Sequence, residues 1–472
     1  MSFLHFRTAQ ELVSARKSGE LSARELVEYF LERIDRHNPT LNALVTITPE
    51  TAWAEARKMD EGERDPGMLW GLPFADKDLT ARAGVPTGSG SRLTQGAPLP
   101  SVSDPMAVAL DEAGGISLGK SAVCEFGLSS YTESEVLEPT RNPYDLSVGA
   151  GGSSGGAAAA TAGGLLPFAP GSDGGGSVRI PAWTCGLVGF KPSRGLIPSG
   201  TGFDSLGGLV VPGPLARNVS DAALLLDAMR GSNPSFRATG VSAPPVSFQE
   251  SLRAPLRRLT IGVTTNHPWG DDVDIDLAPE ALSALEKVVA LAEQAGHRVA
   301  TLDWKPRPGY FNAFSTLWRA SAATLDVPPG SESLLEELTR YLVQAGRALS
   351  ARDLALALRE LSQFETHTIE CFSPFDVILT PGLATPPPPV DSYDKFDPER
   401  NFTQQIGVTP YSSFVNVSGL PAVALPVMAS PRGLPVGVQL VGRAGGDVTV
   451  LGLAHEFESQ LAWALKPAIF AD

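Results

Sequence analysis

Two serines set in glycine frames are the residues whose type and spacing best suit chemistry. GGSSGG spans residues 151–156, and GGGSVRIP spans residues 174–181. Glycine lets a backbone turn sharply and approach a ligand closely. A serine that attacks a carbonyl creates an oxyanion, and successive N–H groups of a glycine turn can point at that charge without side chains in the way. Serine hydroxyl is a weak nucleophile at neutral pH, so such chemistry also needs a positioned base. Upstream, GLPFADKDLT at residues 71–80 is an apolar run closed by Asp76, Lys77 and Asp78. A lysine between two aspartates reads as a solvated turn, yet the end of an apolar strand is where α/β proteins place functional groups.

Periodicity indicates the elements that must hold these residues. The alanine-rich segment between the serine frames reads as one short buried helix. Leu26, Val27, Phe30, Leu31 and Ile34 recur at helical spacing behind Ser22 as N-cap, and this helix is expected to stop before Pro39. Gly114 to Ser121 matches a phosphate loop formally, but a helical pattern precedes it and the apolar run from Ile116 to Leu118 lies within it. A phosphate loop needs the reverse order, so Gly114 and Gly115 read as a helix C-terminus and nucleotide binding is rejected. Residues 140–146 turn the chain into the first serine frame. Residues 220–229 read as an amphipathic helix, and residues 231–256, rich in Pro, Ser and Gly, as a surface connection. A βαβ unit follows: a strand from Leu259, a helix over 279–295 and a strand from His297. Residues 305–370 read as mostly helical, 375–389 as a buried strand with a rigid loop, and 415–442 as two closing strands. This alternation indicates an α/β architecture.

Composition narrows the function classes. The 472 residues, 43% hydrophobic and 19% charged, suffice for a sizeable core. A net charge of −15 argues against nucleic-acid and anionic-membrane partners, because phosphates would be repelled. Cys124, Cys185 and Cys371 have no close pairing, so neither a disulfide framework nor a zinc site is implied. No His/Asp/Glu cluster has ligand spacing, and no metal or cofactor is expected. The first residues lack a signal-peptide pattern and no stretch reaches membrane-span length, so a cytoplasmic protein is expected.

The string from 149 to 198 closely resembles the signature of the amidase signature family of serine hydrolases, and weaker resemblance runs over most of the chain. It implies one domain over 1–472, with a signature core at about 71–215 and a large, mostly parallel mixed sheet wrapped by helices. It also implies a relay that cleaves a carbon–nitrogen amide bond. Lys77 takes a proton from Ser153, Ser153 takes one from Ser177, and Ser177 attacks the carbonyl to form an acyl-enzyme. The family's bridging residue is the first serine of GGSSGG, 24 positions before the nucleophile, and it follows a cis peptide bond; Ser153 fits that spacing. Ser154 is then a supporting residue. By the same carry-over the N–H groups of Gly174, Gly175, Gly176 and Ser177 form the oxyanion hole. Asp173 and Arg179 hold the loop. Many members carry Thr or Ile where this chain has Gly174, which puts the rigidity of the hole in question.

Two rival readings stand beside this one. Residues 151–155 also satisfy G-x-S-x-G, the nucleophile elbow of α/β-hydrolases, with Ser153 as nucleophile and His267, His297, His367 or His455 as base. That reading leaves the second serine frame unexplained. The other is the amidotransferase subunit of the same family, which amidates mischarged glutamyl-tRNA with a partner. That subunit typically has Gln where this chain has Ile180, which favours a free-standing amidase acting on a small-molecule amide. Resemblance around residues 132–143, in the signature and in the C-terminal strands points toward the branch that hydrolyses cyclic dimers of 6-aminohexanoate. A homodimer is compatible with this reading.

Overall fold

The apolar runs form two separate sheets in the computed structural model, which describes residues 3–197, 205–231, 246–461, 463 and 466–467. The smaller sheet has three strands: β1 (Leu44–Ile47), β2 (Pro73–Lys77) and β3 (Ile116–Ser121), with β3 in the middle. The run that ends on Lys77 is buried throughout. A hairpin of β4 (Arg141–Asn142) and β5 (Asp145–Gly149) then leads into the first serine frame.

The larger sheet is built from β6 (Phe168–Asp173), β7 (Val188–Lys191), β8 (Val211–Ala216), β9 (Thr260–Val263), β10 (Arg298–Thr301), β11 (Val377–Pro381), β12 (Ala422–Ala429) and β13 (Pro435–Gly442). Across it the order is β10-β9-β11-β13-β12-β7-β8-β6. The fold is α/β with a large mixed sheet surrounded by helices, but the sheet is not mostly parallel. Within this sheet only β9 pairs in parallel, with β10 and β11, and its other pairings among the described residues are antiparallel. Connection length explains the difference: β9 and β10 are joined through the helix Pro279–Gln294, whereas five residues, 430–434, join β12 to β13. A short link can only return the chain antiparallel.

Other expectations also shift. The first long helix runs over Ala23–Leu41 with Pro39 inside it, because Pro39 falls in the last turn, where little helix remains to be broken; Asn42 ends it in the left-handed region. Ser22 caps its start as expected. The helix Val219–Arg230 is buried on nearly every face rather than amphipathic, since it lies between β8 and the helices Pro105–Glu112 and Asp447–Leu461. The expected surface connection at 231–256 lies largely outside the described residues. Residues 415–417 belong to the short helix Ser413–Val417, and the two closing strands, β12 and β13, lie side by side in the middle of the sheet. The phosphate-loop match is rejected by structure too: Gly114 and Gly115 follow the end of the helix Pro105–Glu112, the other six residues of the match are β3, and Lys120 is buried with its ammonium donating to the Thr80 carbonyl.

Two features place the serine frames. The helix Gly155–Ala162 is wholly buried, and Gly156 lies so close to the backbones of Ala43 and Ala122 that no Cβ would fit. The first frame is thus fixed at the N-terminal end of a helix packed against both sheets. The second frame joins the end of β6 to the helix Arg179–Thr184. Because β2 packs against β6, Lys77 is carried to the same place.

Candidate active site

Lys77 is 1% exposed, and its ammonium nitrogen has three partners: Ser153 Oγ at 2.9 Å, Ser172 Oγ at 3.1 Å and the Ser172 carbonyl at 3.2 Å. Burial pulls its pKa down from 10.5 to about 8, against the opposing pull of Cys124 and Asp173. A neutral amine offers two N–H donors and one lone pair. Protonated, Nζ donates to all three contacts; once the amine is neutral, two N–H donors suffice for Ser172 and a lone pair is left for the Ser153 hydroxyl.

Ser153 is 2% exposed and follows a cis Gly152–Ser153 peptide bond. Ser177 instead lines a cleft of about 490 Å³, counting the part open to solvent, together with Leu128, Gly175, Trp269, Phe314, Trp318 and Phe402. The two frames meet where the Ser154 N–H donates to the Ser177 carbonyl, 3.1 Å away. Among the described residues no hydrogen bond joins the Ser153 and Ser177 hydroxyls. Ser154 is buried in support, its hydroxyl 3.4 Å from both the Ser172 carbonyl and the Ser172 nitrogen.

The glycine turn is held from below by Asp173 and Arg179. Asp173 Oδ1 accepts from the Gly176 N–H at 2.7 Å, and Oδ2 accepts from the Val178 N–H at 3.1 Å. Both oxygens also receive the fully buried Arg179 guanidinium, at 2.9 and 3.0 Å. Burial would raise the Asp173 carboxyl, but Arg179 and Asn416 hold it well below the usual carboxylate range. The Gly176 N–H is therefore already engaged and does not point at a substrate. The N–H groups of Gly174, Gly175 and Ser177 have no acceptor among the described residues, which leaves those three for an oxyanion.

Sequence reasoning missed the partners that complete this arrangement. Arg179 donates to the Ser412 carbonyl at 2.9 Å, to Gln439 Oε1 at 2.7 Å and to Asn416 Oδ1 at 2.6 Å. Ser412 in turn donates to the Gly175 carbonyl at 2.6 Å. Ser172 was also missed, though its place one residue before Asp173 at the end of a strand was a usable signal. Asp76 and Asp78, the neighbours of Lys77, are structural: Asp76 pairs with Arg82 at 2.6 Å, and Asp78 accepts from the Gly88 N–H at 3.1 Å. His267, His297, His367 and His455 do not line the cavity, and each has a neighbour elsewhere: the Tyr411 ring, the Leu259 N–H, the Lys305 carbonyl and Glu458 respectively. The nucleophile-elbow arrangement is thus not assembled around Ser153.

Comparison with known proteins shows the family to which the chain belongs. The profile of the family described as Amidase matches residues 25–451, and the chain belongs to that family of hydrolases acting on amides. It is 37% identical over 453 residues to the protein named "Putative amidase AmiB2" of Mycobacterium tuberculosis, covering 94% of each chain. Among solved structures, a 6-aminohexanoate cyclic dimer hydrolase complexed with substrate matches with a TM-score of 0.91 and 28% identity, covering 100% of both chains. A bacterial aryl acylamidase of the amidase signature enzymes matches with a TM-score of 0.87 and 26% identity, covering 100% of this chain and 99% of that one.

Proposed function

We propose that this chain hydrolyses amides through an acyl-enzyme on Ser177, with neutral Lys77 as the base and Ser153 as the proton carrier. The observation that carries the reading is the buried Lys77 amine 2.9 Å from the Ser153 hydroxyl, with its other contacts both to Ser172. As Ser177 Oγ attacks the carbonyl carbon, its proton passes to Ser153 Oγ while the Ser153 proton passes to Lys77 Nζ. The carbonyl oxygen becomes an oxyanion facing the Gly174, Gly175 and Ser177 N–H groups. Collapse of the intermediate breaks the C–N bond, and the proton returns through Ser153 to the leaving amine. Water then repeats the sequence on the ester and frees the acid. The relay requires the Ser177 hydroxyl to donate to Ser153 once substrate is bound, and catalytic hydrogen bonds are commonly loose before that point.

The test is covalent trapping. After treatment with a fluorophosphonate, mass spectrometry is expected to find the adduct on the peptide containing Ser177. Labelling on Ser153 would overturn the assignment, and Ser177→Ala should abolish both labelling and amide hydrolysis.

A further inference from the structure

A second cavity, of about 610 Å³, adjoins the one at Ser177. Trp318 and Phe402 line both cavities and so form the wall between them. Trp318 is fixed in that wall. Its ring stacks on Phe314 at 5.7 Å with 15° between planes, its N–H donates to the Leu128 carbonyl at 3.3 Å, and its edge stands 3.6 Å from where a Gly174 Cβ would be. The ring thus stands at van der Waals distance from position 174, beside the turn that carries the free N–H groups.

The second cavity is apolar on the Trp318 and Phe402 side and polar beyond. Ser315 lines it, is 4% exposed, and has a buried hydroxyl without a hydrogen-bond partner. Arg319 lines it as well. Its guanidinium lies over the Tyr341 ring and donates to the Tyr341 hydroxyl at 3.1 Å, with no carboxylate partner among the described residues. The Tyr341 hydroxyl in turn donates a hydrogen bond to Glu399, an exposed carboxylate at the rim, at 2.8 Å. Buried or half-buried donors left unpaired cost far more than a carboxylate in water. Glu399 also lines the chamber but is engaged by Tyr341, so within it the Ser315 hydroxyl lacks a partner and the Arg319 guanidinium lacks a carboxylate.

We propose that this chamber is a second substrate subsite, which takes the distal end of an amide whose scissile carbonyl lies at Ser177. The group it selects is a hydrogen-bond acceptor, a carboxylate or a carbonyl, carried on an apolar spacer that passes Trp318 and Phe402. Arg319 and Ser315 bind that end, and Trp318 sets how long or wide the spacer can be. This deepens the amide-hydrolase reading and rests on it for the position of the scissile bond.

The test uses anilides alike at the scissile bond and differing only in the terminal group: carboxylate, carboxamide, ammonium or methyl. The group is placed on the acyl side in one series and on the amine side in a second. In one of the two series, kcat/KM is expected to be about tenfold higher for the carboxylate or carboxamide than for the methyl compound, the size of a hydrogen bond to a charged group. Arg319→Gln should erase that preference, bringing the ratio of kcat/KM between the carboxylate or carboxamide compound and the methyl compound close to one. Trp318→Ala should shift the preference toward longer spacers. A preference for carboxylate alone marks charge pairing with Arg319, and equal response to carboxamide marks simple acceptor binding. Preference for methyl or ammonium in both series, or a carboxylate preference that survives Arg319→Gln and Ser315→Ala, would overturn the proposal. Calorimetric binding of the same compounds to Ser177→Ala protein reads the chamber without turnover. Selective binding there in the absence of parent hydrolysis would retain the subsite and reject the mechanism instead.

Discussion

Lys77 owes its chemistry to where its nitrogen is buried. In the proposed relay a protonated Lys77 cannot accept the Ser153 proton, so the active fraction would grow as pH passes through its pKa of about 8. The rate should therefore rise with pH on the alkaline side of neutrality and level above that value, as read from kcat/KM against pH. Lys77→Ala should lower kcat by about 10²- to 10⁴-fold, the range of general acid–base groups. Lys77→Arg should not restore it, because a guanidinium keeps its proton. Replacing His267, His297, His367 or His455 singly should leave the rate within a few-fold of the parent, since none lines the cavity. Full activity in a folded Lys77→Ala protein would refute the relay.

The next scale is the element, here the turn between β6 and the helix Arg179–Thr184. Its glycines are not equivalent. Gly176 sits at φ 130°, and a Cβ on it would lie 2.6 Å from both Ile180 Cδ1 and Ser412 Cβ. Gly174 is outside the left-handed region, and its added Cβ would stand 3.2 Å from Val210 Cγ2, a tight contact with one methyl. Gly176→Ala should consequently lower both melting temperature and kcat, whereas Gly174→Ala should keep the fold and most of the activity. Thermal melts and steady-state rates on the two purified variants decide this. Asp173→Asn should destabilise by about 3–5 kcal/mol, because it leaves the Arg179 charge buried without its counter-ion; chemical denaturation measures it. The serine frames and Lys77 were legible because glycine-flanked serines and a charge at a strand end are local patterns. Ser412, Asn416 and Gln439 were not, because they are ordinary polar residues that gain a role only through contacts made across the sheet. Strand direction escaped for a related reason: periodicity reports burial, not orientation, and the five-residue link between β12 and β13 was the overlooked clue.

Across the whole molecule the buried cations leave a signature in stability. Lys77 at about 8 and Lys191 at about 7 are both lowered chiefly by burial from 10.5. The unfolded chain therefore binds more protons than the folded one between these values and 10.5, and stability rises with pH there. The effect is cleanest from pH 7.5 to 8.5, below the point where the buried thiols, raised from 9.0, begin to oppose it. The urea midpoint should increase across that interval, and Lys191→Met should flatten the increase. Among the described residues no group of three or more His, Cys, Asp or Glu could hold a metal ion. Hydrolysis by the purified chain is expected to survive exhaustive chelation, and activity that vanished and returned with a divalent ion would contradict the mechanism. The bonds of Arg179 reach across 233 to 260 residues, to Ser412, Asn416 and Gln439. During synthesis the lysine and both serines leave the ribosome long before the segment that anchors their turn. A half-made chain thus carries all three groups of the proposed relay and still lacks the clamp that holds their turn, so on that reading hydrolysis should begin only after the last strands of the sheet have been translated.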